Sequence, residues 1–263
     1  MQGSTPDALL ALHDAGYREV RARLDRGVIL DVGCGVGDET ASLTGDGRHV
    51  VGLDYSAQTV VDASHERADA GLRFAAMDGS VLGVRDHSVD AVVSSHIIEH
   101  FTNPVTHVAE LARVLRPDGT AFVITPNAPA DFENPFHVYL FETAHLVSML
   151  KLFFEDVECL GLEGDDVLHA DFAARRASGE RILKLDAFDL RHKLPRRTYV
   201  WAYTRALPLV YRVLGSRRSG VGSGIDASHF FVTEQVTPST PVLFAIGRRP
   251  RARLGPAETG QVT

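Results

Sequence analysis

Residues 28–37 constrain the fold more than any other stretch of this chain. An apolar, β-branched run ends there in Asp31, and three glycines follow at alternate positions: Gly33, Gly35 and Gly37. Such a run is typical of a buried parallel strand. The glycines allow the backbone to turn sharply and to approach a ligand closely. The stretch therefore predicts a strand that ends in a ligand-binding turn.

A second apolar run, residues 49–54, ends in Asp54. A carboxylate at the tip of the next strand can accept hydrogen bonds from a ribose diol. The glycine spacing also separates two classes of cofactor, because a dinucleotide fingerprint would need glycine where this chain has Asp38. A carboxylate there would face a pyrophosphate at a helix N-terminus, where anions bind. The loop favours a cationic, phosphate-free cofactor over a nicotinamide dinucleotide.

Residues 30–37 resemble motif I of the class I S-adenosylmethionine-dependent methyltransferases, and Asp54 matches the ribose-binding acid of that family. The resemblance covers about residues 28–163 and implies S-adenosyl-L-methionine as cofactor. It implies that Asp78 bonds the adenine amino group beside Met77, and that Asp31 orders the glycine loop and the cofactor's amino group. The predicted cofactor-binding residues are Asp31, Gly33, Gly35, Gly37, Asp54, Tyr55, Met77, Asp78 and Ser95.

Apolar runs alternate with helical patterns, which predicts a parallel sheet with helices on both faces. The predicted strands are about 28–33, 49–54, 72–76, 89–94, 120–125, 154–162 and 242–248. The family's sheet ends in an antiparallel hairpin, so the resemblance implies that the last two strands pair. The expected fold class is α/β: a Rossmann-like, doubly wound, seven-stranded sheet, mostly parallel with a C-terminal antiparallel hairpin, plus a helical cap insertion.

The predicted core comprises residues 1–164 and 226–250. Residues 165–225 interrupt the alternation and are interpreted as a helical insertion, either an acceptor cap or a dimerisation element. Residues 251–263 lack periodicity and are expected to be disordered.

The net charge of −7 disfavours a nucleic-acid partner. No apolar run has the length of a membrane span, so no membrane association is expected. The 263 residues include only two cysteines, Cys34 and Cys159, too few for a disulfide framework, and a cytoplasmic location is predicted. Cys34 is interpreted as a small buried residue beside the cofactor.

A second chemical signal follows the fourth predicted strand. His96 and His100 stand at i and i+4 with Glu99 between them, a spacing that can gather three ligands on one side of a helical turn. His137 belongs to the loop after the fifth strand, which opens on the same edge of the sheet. The segment resembles ubiquinone-biosynthesis O-methyltransferases and small-RNA 2′-O-methyltransferases, which hold a divalent ion with a Glu-x-x-Glu-His segment and a later histidine. Here His96 replaces the first acid.

Three interpretations of this segment stay open. In the first, His96, Glu99, His100 and His137 hold a divalent metal, Mg²⁺ or Mn²⁺, that activates the acceptor hydroxyl. In the second, the site has no metal and His100 or His137 is the general base, with Glu99 in a catalytic role. In the third, Glu99 and His100 are a structural pair.

The acceptor is less constrained than the cofactor. The expected reaction is methylation of a hydroxyl on a small molecule, with a sugar or glycan preferred to a phenolic metabolite. Residues 134–137 and 226–230 faintly resemble actinobacterial glycan O-methyltransferases, including an enzyme that methylates mannose oligosaccharides. A homodimer is an open expectation. The alternatives are a metal-free O- or N-methyltransferase of a phenolic or natural-product metabolite, or an inactive cofactor-binding interaction module.

Overall fold

The computed structural model describes residues 7–69, 71–130, 137–173 and 224–251. These residues form one sheet of eight strands in the order β3-β2-β1-β4-β5-β8-β6-β7. The strands are β1 (Gly27–Val32), β2 (Arg48–Asp54), β3 (Leu72–Ala76), β4 (Val89–Ser95), β5 (Leu115–Pro126), β6 (Phe154–Gly164), β7 (Phe230–Thr233) and β8 (Val242–Pro250).

The first five strands are parallel, whereas β8 is antiparallel to both β5 and β6. The strand order turns in opposite directions from β1, since β2 lies on one side of it and β4 on the other. In open α/β sheets, ligands bind beyond the carboxyl ends of the strands at such a reversal. The loops after β1 and β4 are therefore the expected walls of a binding crevice.

Helices cover both faces of the sheet. The helices are α1 (Asp7–Arg21), α2 (Asp38–Ser42), α3 (Ala57–Arg67), α4 (Pro104–Val114) and α5 (Thr143–Leu150), with short 3₁₀ turns at Ile98–His100 and Ala227–His229. On one face, Leu12 and Val20 of α1 pack with Phe122 and Phe244 of the sheet. On the other face, α4 and α5 bury a second apolar cluster with the opposite side of the same strands. The result is a three-layer α/β/α arrangement.

The expected Rossmann-like α/β sheet with an antiparallel C-terminal part is confirmed, and the structure adds one strand to the seven predicted. The helical cap insertion stays a prediction. The predicted pairing of the strands near 154–162 and 242–248 is present as the antiparallel β6–β8 ladder. The additional strand, β7, has four residues and pairs antiparallel with the end of β6. β5 begins at Leu115 rather than near residue 120. The reason is that Leu115 already pairs with Val89 of β4, and a register shift separates this pair from the regular ladder that starts at Thr120.

Most of the predicted insertion, residues 165–225, lies outside the described residues, as does nearly all of the predicted tail. Residues 166–173 are helical. The two sides of this stretch meet at Asp165 and His229: the carboxylate Oδ2 is 2.7 Å from the ring Nδ1, and Asp165 N donates to His229 O (3.1 Å). No described helix is long and apolar enough to span a membrane.

Candidate active site

The glycine loop joins β1 to α2. Gly33 has φ of +86° and lies against the loop after β4, because a Cβ there would be 2.6 Å from the Ile97 side chain. Gly37 has φ of +79° and precedes α2, with no room for a Cβ beside the Phe74 ring. Gly35 has φ of +53°, yet a Cβ there would meet nothing within 4 Å. The loop is therefore closely packed at two glycines and open at the middle one.

Asp54, at the end of β2, fixes the middle of this loop. Its Oδ2 accepts from Gly35 N (3.0 Å), and its Oδ1 accepts from Ser56 N (2.8 Å). A carboxylate oxygen has two lone pairs, so each oxygen keeps the capacity to accept another hydrogen bond. Asp54 is thus oriented by the backbone and lines the cavity described below.

Asp31 lies beneath the loop and is completely buried. Tyr17 Oη donates to its Oδ1 (2.9 Å) and Thr40 Oγ1 donates to its Oδ2 (2.6 Å). Burial raises the pKa of Asp31 to about 6, and these two hydrogen bonds oppose that rise. The carboxylate joins α1 and α2 to the base of the loop. This position agrees with the expected ordering of the loop, whereas the expected contact with the cofactor's amino group stays a prediction.

A cavity of about 440 Å³ opens beside the loop. Its walls come from the ends of four elements, and its lining residues include Val32, Gly33, Asp54, Tyr55, Met77, Asp78, Gly79, His100 and Phe101. Asp78 Oδ1 accepts from Ser80 N (2.8 Å) and Ser80 Oγ (2.7 Å), and these bonds lower the pKa of Asp78. Asp78 is therefore held as an oriented carboxylate at the cavity.

The fit of these groups to S-adenosylmethionine can be tested on the structure. Two carboxylates, Asp54 and Asp78, line the same cavity and supply acceptors suited to a diol and an amino group. Gly35 opens on free space where a side chain would otherwise project. The cofactor is cationic and lacks phosphate, so two acidic walls suit it. The residues present fit the cofactor.

Four candidate acceptor-side residues lie after β4 and β5. Glu99 is 1% exposed, and Thr125 Oγ1 donates to its Oε2 (3.1 Å). His96 Nδ1 is 3.7 Å from Glu99 Oε1, and His137 Nε2 is 4.0 Å from the same oxygen. Burial opposes ionisation of Glu99, but the nearby imidazoles of His96 and His100 hold its pKa below the usual value.

Backbone hydrogen bonds hold the segment that carries His137 next to Glu99. Val138 N (2.8 Å) and Tyr139 N (3.0 Å) both donate to Glu99 O. The rings of His100 and His137 meet edge to face, with centroids 5.3 Å apart. One ligand atom from each of Glu99, His100 and His137 lies within 4.8 Å of the others. These three residues can share one small ligand, and His96 adjoins them.

Three buried polar atoms in the described part of the chain have no hydrogen-bond partner: Ser95 Oγ, His96 Nε2 and Glu99 Oε1. All three belong to one five-residue segment. Ser95 is not among the residues that line the cavity, and its predicted contact with the cofactor stays a prediction. His96 also has φ of +53°, a conformation that is uncommon for residues other than glycine. An unpartnered buried polar atom costs about 1–3 kcal/mol. Strain and unmet hydrogen bonds collected in one place are features of functional sites.

Two further histidines at this end of the sheet were not predicted from the sequence. His13 of α1 packs against His96, with ring centroids 4.5 Å apart, and burial lowers its pKa to about 3. His107 of α4 is completely buried below the cavity. His107 falls within the apolar stripe of α4, and a polar residue in such a stripe is a signal that the sequence does contain. His13 carries no comparable signal.

The fold is the Rossmann-like fold of S-adenosylmethionine-dependent methyltransferases. Residues 30–123 match the family model described as a methyltransferase domain. A probable S-adenosylmethionine-dependent methyltransferase of Mycolicibacterium smegmatis is 34% identical over 164 residues, which are 59% of this chain and 60% of the relative. A ubiquinone biosynthesis O-methyltransferase of Nitrosospira multiformis is 30% identical over 43% of this chain and 48% of its own length.

Solved structures share the fold at low sequence identity. A possible histamine N-methyltransferase of Thermotoga maritima has a TM-score of 0.58 at 14% identity, covering 92% of this chain and 91% of its own. Phosphoethanolamine N-methyltransferase 2 of Haemonchus contortus, in complex with S-adenosyl-L-methionine, has a TM-score of 0.53 at 18% identity, covering 90% and 52%. The chain spans about 60% of the length of the first curated relatives it matches, or slightly less.

Proposed function

We propose that this protein transfers the methyl group of S-adenosyl-L-methionine to a hydroxyl of a small polar acceptor, with a sugar or glycan as the preferred class. The observation that carries the acceptor proposal is the group formed by Glu99, His100 and His137, of which His100 lines the cavity. An acceptor with several hydroxyls would bond to more than one of these side chains. A single phenolic oxygen would bond to fewer.

Different residues would bind the three parts of the cofactor: its ribose, its adenine and its methionine part. Asp54 would accept from the ribose hydroxyls, Asp78 would accept from the adenine amino group, and the glycine loop would pass beside the methionine part. Met77 and Tyr55 line the same cavity and would pack near the adenine ring. When bound, the cofactor supplies an activated methyl group on a sulfonium.

The protein must then orient the acceptor hydroxyl and remove its proton. His100 lines the cavity, and its ring meets that of His137. Either imidazole could take the proton at a ring nitrogen. Glu99 lies beside both, and its depressed pKa keeps a negative charge that would stabilise the imidazolium. In this proposal Glu99 orients and stabilises the base and does not itself accept the proton.

A divalent ion is the second route to the same hydroxyl. Glu99, His100 and His137 offer one oxygen and two nitrogens close together, with His96 beside them. When bound, such an ion would lower the pKa of a coordinated hydroxyl. Two or three imidazoles suit Mn²⁺, Zn²⁺ or Fe²⁺ better than Mg²⁺, which prefers oxygen ligands. The expected Mg²⁺ is thus the weaker candidate of the two metals first considered.

Three measurements test these proposals separately. Calorimetry with S-adenosylhomocysteine tests the cofactor, and preferential binding of a nicotinamide dinucleotide would exclude it. Transfer of radiolabelled methyl to panels of oligosaccharides and of catechols tests the acceptor, and labelling of catechols alone would overturn the sugar preference. Turnover in excess chelator, followed by rescue with Mn²⁺ or Zn²⁺, tests the metal. Full activity in chelator would leave His100 or His137 as the base.

A phenolic acceptor is the second candidate function. It is favoured by the ubiquinone biosynthesis O-methyltransferase relative, whose match is confined to 43% of this chain. An inactive interaction module is a third possibility, and it predicts cofactor binding without transfer to either panel. Both the labelling result and the affinity for S-adenosylhomocysteine are needed to distinguish these outcomes.

A further inference from the structure

His107 is a buried histidine that has both ring nitrogens paired. Nδ1 lies 2.8 Å from Gly79 O, and Nε2 lies 2.8 Å from Ser94 Oγ. A carbonyl oxygen only accepts, so Nδ1 must carry the proton. Nε2 then accepts from the Ser94 hydroxyl. The two contacts select one neutral tautomer, and burial agrees with that state because it lowers the pKa of His107 to about 4.

His107 supports residues that line the cofactor cavity. Phe101 stacks on its ring, with centroids 4.5 Å apart and planes 16° from parallel. A Cβ at Gly79 would lie 3.0 Å from the Phe101 ring, 3.2 Å from Val32 and 3.3 Å from His107 Nδ1. Gly79, Phe101 and Val32 all line the cavity. The imidazole is therefore the buried support beneath one wall of the cavity.

The bond to Gly79 acts on the turn that carries Asp78. Within that turn, Ser80 N donates to the Asp78 carboxylate, and Val81 N donates to Asp78 O (3.0 Å). Gly79 stands between these contacts, and its carbonyl is held from below by His107 Nδ1. The turn is thus fixed by local bonds at its surface and by one buried donor. Without that donor, the Gly79 carbonyl would lose its partner and the peptide could rotate.

We propose that His107 is a positioning residue for cofactor recognition: it anchors the Gly79 carbonyl, holds the Asp78 carboxylate in register with the adenine amino group, and supports Phe101. This inference rests on the proposed cofactor. It assigns to His107 no contact with the cofactor and no role in proton transfer.

Two substitutions separate the contacts of the ring. In His107→Asn, the side-chain amide can donate to Gly79 O from a place near that of Nδ1. In His107→Gln, the longer side chain reaches towards Ser94 and leaves Gly79 O without its donor. We expect His107→Gln to weaken binding of S-adenosylhomocysteine at least tenfold by calorimetry. We expect His107→Asn to stay within about threefold of the unsubstituted protein.

The readout specific to positioning is discrimination at the adenine amino group. S-inosylhomocysteine carries a carbonyl in place of that amino group, so an oriented Asp78 should disfavour it. The ratio to measure is the dissociation constant of S-inosylhomocysteine divided by that of S-adenosylhomocysteine. We expect this ratio to fall at least fivefold in His107→Gln and to be retained in His107→Asn. An unchanged ratio in a folded His107→Gln protein would overturn the proposal. Failure of the unsubstituted protein to bind S-adenosylhomocysteine would instead overturn the proposed function.

A measurement on the unsubstituted protein covers the case in which His107→Gln does not fold. Long-range ¹H–¹⁵N spectra of the histidine rings report which nitrogen carries the proton. We expect the Nδ1-protonated neutral form at His107 between pH 6 and 8, with or without S-adenosylhomocysteine. An Nε2-protonated ring would contradict the bond to Gly79 and therefore the proposal.

Discussion

The two halves of the crevice differ in how their polar groups are satisfied. On the cofactor side, the buried carboxylate of Asp31 accepts two hydroxyl bonds, Asp54 accepts two backbone bonds, and both nitrogens of His107 are paired. On the acceptor side, three buried atoms have no hydrogen-bond partner: Ser95 Oγ, His96 Nε2 and Glu99 Oε1. In the first half each of these groups has a hydrogen-bond partner within the protein, whereas in the second three buried atoms have none.

This difference separates two kinds of binding. A site whose groups are already oriented loses little conformational entropy when its ligand arrives, and it favours one shape of ligand. A site with unpartnered buried atoms is less stable by itself and gains those bonds only with a matching ligand. The contrast predicts that substitutions on the cofactor side weaken cofactor binding or folding. On the acceptor side, some substitutions should leave the stability nearly unchanged while they abolish turnover.

The largest expected effect is that of Asp54→Ala on the cofactor side. The substitution removes the acceptor proposed for both ribose hydroxyls, at about 1.5–3 kcal/mol for each charge-assisted bond. We expect S-adenosylhomocysteine to bind roughly 10²- to 10⁴-fold more weakly by calorimetry. Asp62→Ala is the matched control, since Asp62 is an acid of α3 whose side chain contacts exposed Gln58. Equal affinities in the two variants would remove Asp54 from the cofactor side.

The next effect is the loss of folding stability at acidic pH, to which a buried histidine in each half contributes. His107 has an ordinary pKa of 6.5 when unfolded and about 4 when folded, so the unfolded state binds more protons between these values. Stability should therefore fall as the pH falls from 6.5 to 4, by on the order of 3 kcal/mol from this residue. His13, with a folded pKa of about 3, acts in the same direction from the acceptor side.

Asp31 opposes these histidines, because its pKa of about 6 makes the folded state bind a proton more tightly between pH 4 and 6. Urea unfolding at several pH values measures the sum. The difference between the unsubstituted protein and His107→Asn isolates the cofactor-side histidine, and His13→Asn isolates the other. A slope against pH that neither variant changes would contradict the assignment.

A smaller effect is expected for Asp31→Asn. Tyr17 and Thr40 both donate to the carboxylate, and an amide offers only one oxygen to accept from them. We expect a loss of about 1–3 kcal/mol in the free energy of unfolding, measured with urea at pH 7. Asp62→Asn, at an exposed site, should change stability little. An unchanged free energy of unfolding in Asp31→Asn would show that the hydrogen bonds beneath the glycine loop contribute nothing to folding.

The smallest expected effect on stability is that of Glu99→Gln. The amide oxygen can still accept from Thr125, and the amide avoids the cost of burying a charge, but it loses the attraction of His96 and His100 that lowers the pKa of Glu99. Because these contributions oppose each other, we expect the unfolding free energy to change by less than about 1 kcal/mol. Methyl transfer should be lost, and the dissociation constant of S-adenosylhomocysteine should stay within about twofold. A loss of stability like that of Asp31→Asn would break the contrast between the two halves.

The sheet could be predicted because its signals are local. The apolar runs, the glycine turn and the acid that ends β2 can each be identified within a few residues, and parallel strands bring their loops to one edge. β7 was missed because four residues at the end of a sheet carry little periodicity. The start of β5 was missed because Pro117 and Gly119 are residue types that favour turns, while the register shift with β4 is a property of the paired strands.

The site could be predicted only in part for the same physical reason. Glu99, His100 and His137 could be grouped because the loops that carry them follow adjacent strands. The bond from His107 to Gly79, and the packing of His13 on His96, depend on how helices lie against the sheet. No spacing in the sequence encodes those distances. The left-handed backbone at His96 is likewise set by its surroundings, because histidine adopts this conformation only occasionally.

The contact between Asp165 and His229 has a consequence for how such a chain can change over generations. The chain leaves β6 at Asp165 and returns to the sheet at His229, just before β7. Because these two residues are in contact, the connection between the two strands is closed at a single junction. Leu168 and Ile225, just inside this junction, are buried in the core, so the junction is fixed by packing as well as by hydrogen bonds. A change in the length of the chain between Leu168 and Ile225 would therefore leave the two ends of the connection, and the strands that hold the crevice, in the same place.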